Sequence, residues 1–425
     1  MTYEKVLEKI KGLSKFGIKP GFSRINKILA CLSNPQDKLK FIHVAGTNGK
    51  GSVCFMLASI LSEAGYKVGL FTSPFVTDFC ETMQINGRKI SKEDIIKLYE
   101  IIAPFTKNSK DCATEFEVVT SIAFKWFEDQ ACDIIILETG LGGRLDCTNV
   151  IKDSLVSVIC SISYDHTDIL GSSLVEIAKE KCGIIKSGRS TILYPDQESS
   201  VFDVIENKCK EKKSRVLMPN RSKFVIVKKD INGTDLIFEG MSYKLPLVGE
   251  HQVNNLSVVF EVLDEIKKYG FITSNKDRFI GLRSVNVPAR FEIIKRNPPI
   301  ILDGAHNFDA ICSLMNTIKI YFGGKNFFAI FSMLENKDYV SCIEKITPLI
   351  DVFVVTNINS SRACDPKILA DQIKKYKKIV YIEDNVKKAI CTILNLCSVD
   401  DVVLIFGSFY LVREVRLEFE NFQCF

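Results

Sequence analysis

Up to about residue 285 the chain alternates two kinds of stretch. Short runs that are apolar at nearly every position occur at Lys40–Ala45, Lys67–Phe71, Asp133–Leu137 and Leu155–Cys160. With no polar side to offer water, such runs suit parallel strands covered on both faces. Between them Val53–Ala64 and Val118–Glu128 read as helices, and a shorter strand is expected at Met83–Ile85. This alternation predicts an α/β fold with a doubly wound sheet. Residues 215–247 change character: Phe224–Val227 and Asp235–Phe238 flank the turn Ile231-Asn-Gly233, which predicts a small antiparallel insertion. After Val285-Asn-Val-Pro-Ala-Arg290 the alternation restarts, with strands expected at Pro299–Leu302, Phe327–Phe331, Val352–Val355, Ile379–Ile382 and Val402–Phe406 and helices between them. A chain of 425 residues exceeds one ordinary core. Two domains are therefore expected, residues 1–287 and a smaller α/β unit, residues 288–425.

Composition narrows the class. Hydrophobic residues make up 46% and charged residues 25%, as in globular proteins. No run approaches the roughly 18 apolar residues that cross a bilayer, and the start, Met1-Thr-Tyr-Glu-Lys-Val-Leu-Glu-Lys-Ile, has no apolar secretion core. A cytoplasmic protein with no membrane or nucleic-acid partner is expected, working as a monomer. The net charge of +5, from 56 basic and 51 acidic residues, is compatible with a solvated face or with a groove for an anionic substrate. Fifteen scattered cysteines without a C-x-x-C pair read as reduced thiols, and no zinc site is expected.

The strongest local feature is His43-Val-Ala-Gly-Thr-Asn-Gly-Lys-Gly-Ser52, an apolar strand running into a glycine-rich turn and then a helical stretch. Glycines let backbone N–H groups turn inward, the helix start adds positive potential and Lys50 adds a point charge, together a cradle for phosphates. The strict G-x-x-x-x-G-K-[ST] pattern is not met, because Gly51 separates Lys50 from Ser52. The N-terminal unit is accordingly expected to be a P-loop-type mononucleotide-binding domain and the C-terminal one Rossmann-like. Other strand ends supply ligands to the same edge, where open α/β sheets bind: the Ser73 hydroxyl, the Glu138 carboxylate suited to a hard cation, and Asp165 with His166. A buried, merely satisfied His166 is the bland alternative.

With these residues assembled, the chain resembles the folylpolyglutamate synthase and dihydrofolate synthase family within the Mur ligases. The resemblance rests on Gly46–Ser52, Thr72-Ser-Pro74, Thr114–Glu117, Glu138–Asn149, Asp165-His166, Glu180–Ile184, His251-Gln-Val-Asn254, Pro288–Phe291, Asp303-Gly-Ala-His-Asn307 and Gly407–Tyr410. It implies an ATP- and magnesium-dependent ligase that joins L-glutamate to a folate, or to dihydropteroate, through an acyl phosphate. It further implies that Thr47, Asn48, Gly49, Lys50, Gly51 and Ser52 hold the ATP phosphates, and that Asn254 and Arg290 contact the nucleotide. Asp303 and His306 would reach its ribose and base. Ser73, Glu138 and His166 would ligate magnesium, and Lys181 would do so as a carbamate formed with carbon dioxide. Without the resemblance, Lys181 reads as a surface lysine of the basic stretch Lys179–Lys186. Thr114, Glu115, Phe116, Glu117, Leu145, Asp146 and Cys147 match segments lining the pterin site.

Departures sit beside these matches. Phe75 stands where relatives commonly have His, Thr82 where Arg is common, and Asn336 where Asp is usual. Arg362 and Ser408, in loops of the C-terminal unit, are candidates to hold the incoming glutamate, with surface salt-bridging as the alternative for Arg362. A cell-wall ligase would be expected to carry a separate domain before the phosphate loop, for which this chain leaves no room. A non-catalytic nucleotide switch would need neither Asp303–His306 nor Thr114–Glu117.

Overall fold

The structure, a computed structural model, describes residues 1–13, 19, 21–106 and 112–421. Its largest sheet holds eight strands: β1 (Phe41–Ala45), β2 (Val68–Phe71), β3 (Met83–Ile85), β4 (Arg88–Lys89), β5 (Ile134–Glu138), β6 (Val156–Ile159), β7 (Ser190–Leu193) and β8 (Arg215–Leu217), in the order β4-β3-β2-β5-β1-β6-β7-β8. Strands β2, β5, β1, β6, β7 and β8 run parallel, while β3 and β4 fold back antiparallel at one edge.

The continuous apolar runs have the predicted cause. On β5, Ile134 and Ile136 pack into one buried cluster and Ile135 and Leu137 into another, so both faces are covered. The helix Lys50–Glu63 and the helix Glu250–Glu265 cover the first face, and the helix Glu115–Asp129 covers the second. The insertion is a three-stranded antiparallel sheet, β9 (Phe224–Asp230), β10 (Gly233–Phe238) and β11 (Met241–Leu245). Its third strand, with exposed and buried positions mixed, escaped the sequence reading, as did β4, β7 and β8.

A six-stranded sheet follows: β12 (Glu292–Arg296), β13 (Pro299–Leu302), β14 (Phe327–Phe331), β15 (Val352–Thr356), β16 (Ile379–Glu383) and β17 (Val402–Phe406), in the order β12-β13-β17-β14-β15-β16. All neighbours are parallel except β12, the half-exposed edge strand absent from the sequence reading. Among the described residues no helix is long and apolar enough to cross a membrane.

Candidate active site

In-register pairing puts the C-terminal ends of β2, β5, β1 and β6 side by side, Phe71 against Leu137, Val44 against Glu138 and Ala45 against Ile159. The loops that leave these ends share one cleft of about 400 Å³. After β1 the chain turns through Gly46 and Gly49 into the helix Lys50–Glu63. Gly49 has φ +88°, and a Cβ there would stand 2.5 Å from Asn255 Oδ1; at Gly46 it would stand 2.6 Å from Cys160 Cβ. Both positions need glycine for space, and Gly49 needs it for conformation. Lys50 Nζ folds back and donates to the carbonyls of Gly46 (3.0 Å) and Thr47 (3.2 Å). Thr47 Oγ1 donates to Ser163 O, tying the turn to the loop after β6. Ser52 Oγ is buried with no hydrogen-bond partner, an orphan at the start of the helix. Such a group calls for a ligand or a water.

Glu138 ends β5 at the floor of this cleft. Burial pushes its carboxyl up to about 7 against the pull of Lys50 and Arg290. It accepts a long hydrogen bond from Ser73 N, 3.4 Å. Lys181, ending the helix Leu174–Lys181, is 4% exposed and donates to Gly46 O at 2.8 Å. The surface-lysine alternative is thereby excluded. Burial, then the neighbouring Lys50, lowers its amine to about 7.

His166 follows β6 and sits beside a second cation from the other sheet. Lys337, buried in the loop after β14, donates to Asp165 Oδ1 and lies 3.3 Å from His166 Nε2. Burial, then Lys337, lowers His166 to about 4, so its imidazole is neutral. Burial alone would raise the Asp165 carboxyl. His306, 3.5 Å from Asp165 Oδ2, and Lys337 instead hold it far below the carboxylate range. Asn307 Nδ2 donates to Asp165 Oδ2 (3.2 Å) and to Asn48 Oδ1 (3.1 Å), while Asn48 Nδ2 donates to Asp309 Oδ2 (2.7 Å). Side chains that follow β13 thus reach Asn48, in the turn after β1, directly. Lys337, Asn307 and Asp309 had no assigned role in the sequence reading; position after a strand end was the signal available.

A smaller adjoining cavity is lined by Gly49, Ser52, Asn255, Arg290, Asp303 and His306. Asp303 is fixed by backbone N–H groups of Phe291 and Ala305, both at 2.8 Å, and burial raises its carboxyl. The guanidinium of Arg290 lies 5.0 Å from the centre of the Phe409 ring. Asn254 requires correction. It accepts from Arg221 Nε at 2.9 Å, reaches Asp196 and does not line the cavity. On this helix the neighbour, Asn255, faces inward, donating to Gln252 Oε1 and leaving Oδ1 buried and unpartnered. A one-residue step turns a helical side chain by about 100°.

The segments expected to line a pterin site lie outside the cleft lining. Thr114 caps the helix Glu115–Asp129 in a capping box with Glu117. Glu117 is buried and paired with Arg24 at 3.0 Å, so its carboxylate is committed within the protein. Burial raises Glu115. Phe116 packs on Gly140, where a Cβ would meet its ring at 2.5 Å, and Gly140 lines the cleft. Asp146 accepts from Leu141 N and from the Thr148 hydroxyl, which is 2.8 Å from His43 Nε2. Leu145, Asp146 and Cys147 therefore shape the loop after β5 without lining the cleft. Arg362 is exposed, its carbonyl bonded to Glu335 N, and Ser408 is buried, its hydroxyl accepting from Tyr410 N at 3.1 Å. Neither lines the cleft; Phe409 does.

Among the described residues no three His, Cys, Asp or Glu side chains are placed to hold a metal ion by themselves. The donors present nonetheless fit magnesium, which keeps waters and phosphate oxygens and takes only one or two carboxylates. Glu138, the neutral His166 and the hydroxyls of Ser73 and Ser52 are of that kind.

The Mur ligase middle domain matches residues 44–263, and the Mur ligase glutamate ligase domain matches residues 289–409. The chain is 34% identical to the dihydrofolate synthase/folylpolyglutamate synthase of Bacillus subtilis, over 98% of each chain. Mycobacterium tuberculosis folylpolyglutamate synthase, complexed with ADP and AMPPCP, superposes with a TM-score of 0.89 at 28% identity, covering 98% of this chain and 99% of that one. The bifunctional folylpolyglutamate synthase/dihydrofolate synthase of Yersinia pestis, complexed with AMPPNP and a Mn ion, does so at 0.84 and 26%, covering 99% and 98%. The likeness spans nearly the full length of the chain, and the chain belongs to the folylpolyglutamate synthase/dihydrofolate synthase family of ATP-dependent Mur ligases.

Proposed function

We propose that this ligase joins L-glutamate to the terminal carboxylate of a folate, and to dihydropteroate as an alternative acceptor, with ATP converted to ADP and phosphate. A carboxylate resists attack by an amine. Its oxygen therefore first attacks the γ-phosphorus, the bond to ADP breaks, and an acyl phosphate forms. The glutamate amine then attacks the acyl carbon, the bond to phosphate breaks, and a proton leaves the new amide. The turn Thr47–Ser52 cradles the phosphates with N–H groups and the helix start, and Lys50 swings from its carbonyl partners to the transferring group, where positioning and charge carry most of the rate. Ser73, Glu138 and His166 would hold magnesium, which would supply neutralising charge there. Arg290, Asn255, Asp303 and His306 hold the rest of the nucleotide.

In this reading residues 1–287 carry the ATP and folate sites, with Thr114–Glu117 and Leu145–Cys147 backing the pterin, and residues 288–425 bring the glutamate, with Arg362 and Ser408 as holders. The neutral Lys181 amine adds carbon dioxide and releases a proton to solvent, giving a carbamate; its buried amine near 7 supplies the neutral form this requires. The enzyme works as a cytoplasmic monomer. One observation carries the reading: Lys50 and Glu138 share a cleft that Arg290 and His306 also line, and the unpartnered Ser52 hydroxyl lines the adjoining cavity with the same two side chains. The test offers dihydropteroate and tetrahydrofolate separately with ATP, magnesium and labelled glutamate, and sizes the products. Labelled glutamyl product in step with ADP is expected; ADP without glutamyl transfer would refute the reading.

A further inference from the structure

The loop Thr72–Val76 forms one wall of the cleft and carries Ser73. Two consecutive peptide units of this loop are gripped from both sides. Within its own sheet region, Glu81 Oε2 accepts from the N–H groups of Val76 and Thr77, both at 3.0 Å. From the opposite side comes Arg413, 337 positions further on, in the helix Phe409–Asn421 that follows β17. Its Nη2 donates to the Phe75 carbonyl at 2.8 Å and its Nε to the Val76 carbonyl at 3.0 Å. The same guanidinium lies over the Phe75 ring, 3.8 Å from the centroid, and Phe75 stands edge-on to Phe79.

The unit joining Phe75 to Val76 thus has its oxygen at a cation and its N–H at a carboxylate, and the unit joining Val76 to Thr77 repeats this. Opposite charges at the two ends of a peptide dipole favour one orientation of that peptide, and charge-assisted hydrogen bonds are about twice as strong as neutral ones. The planar fork matches two adjacent carbonyls and stacks on a ring at once, which a lysine ammonium cannot reproduce. Arg413 is not among the residues lining the cleft, so its route to the chemistry runs through the loop.

We propose that Arg413 is a positioning residue for the ligase reaction: by holding the Phe75 and Val76 carbonyls, it makes the C-terminal half set the wall that brings Ser73 and Phe75 into the cleft. This rests on the ligase reading above. Misplacement of a reacting group by about 1 Å can cost on the order of 100-fold in rate.

The experiment compares Arg413→Ala and Arg413→Lys with the wild type for kcat, KM of each substrate, ADP affinity, thermal midpoint and amide hydrogen exchange of residues 72–77. For Arg413→Ala, kcat falls about tenfold or more while ADP affinity and thermal midpoint hold. Exchange of the Val76 and Thr77 amides accelerates, and added methylguanidinium restores part of the turnover. Arg413→Lys falls between. Wild-type kcat in Arg413→Ala, or unchanged exchange at Val76 and Thr77, overturns the proposal. So does a loss of turnover that only tracks lower stability and weaker ADP binding, without rescue. A wild type that makes no glutamyl product overturns the ligase reading instead, while the exchange data still decide whether the clamp exists.

Discussion

The two sheets meet at one cleft but equip it differently. The eight-stranded sheet supplies a contiguous device, a glycine turn, one helix start and a half-buried Lys50, with Glu138 and Lys181 buried beside it. The six-stranded sheet supplies single side chains from separate loops: Lys337 after β14, His306 and Asn307 after β13, and Arg413 from the helix after β17. The first is built of backbone and tolerates little change of sequence locally. The second is built of long reaches across a gap, so each contact depends on how the halves are seated. On the proposed reading, phosphate binding and catalytic alignment are separable, one lodged in a loop and the other distributed.

The sharpest test of the first half is Lys50→Ala. Acceptor-dependent ADP release is expected to fall by about a thousandfold, within the range for losing a charge at a developing anion. Normal turnover would remove the cradle assignment. The counterpart in the second half is Lys337→Met, which leaves the buried Asp165 without its ammonium. Breaking a buried pair costs about 3–5 kcal/mol, and turnover is expected to fall roughly a hundredfold, with ADP affinity less affected than in Lys50→Ala. Equal effects on both quantities in the two variants would erase the distinction drawn above.

A pH series probes the shared floor. Glu138 has its carboxyl raised to about 7 by burial, so the neutral form dominates below that pH and the anion above it. The magnesium concentration for half-maximal turnover is therefore expected to rise about tenfold per unit as pH falls below 7, and to level off above. A flat dependence between pH 5.5 and pH 7, both near the usual working range, would assign the metal elsewhere. The smallest effect separates two neighbours. Asn255→Ala is expected to raise the KM for ATP about fivefold, the loss of one hydrogen bond of about 1 kcal/mol, and Asn254→Ala to leave it within about twofold. The reverse order would restore Asn254 to the nucleotide.

Legibility in the sequence follows the same divide. The runs at β1, β2, β5 and β6 were readable because burial on both faces leaves few polar positions, and Gly46–Ser52 because its chemistry is contiguous. The edge strands β4, β8 and β12 were not, since exposure on one side breaks the apolar run. Asn254 came from the resemblance alone, and a motif does not show which way each helical side chain turns, so Asn255 went unremarked. Lys181 looked like one of several lysines until packing buried it. Lys337 lay inside a stretch noticed only for Asn336, and Arg413 in an ordinary amphipathic helix; contacts across more than 100 residues leave no local trace.

The central claim, that the acceptor carboxylate is activated by phosphoryl transfer in this cleft, is tested most directly by isotope. Tetrahydrofolate bearing oxygen-18 in its terminal carboxylate is incubated with ATP, magnesium and glutamate, and the released phosphate is weighed. An acyl phosphate leaves one labelled oxygen in each phosphate formed with product; phosphate free of label, alongside normal glutamyl product, would contradict the account.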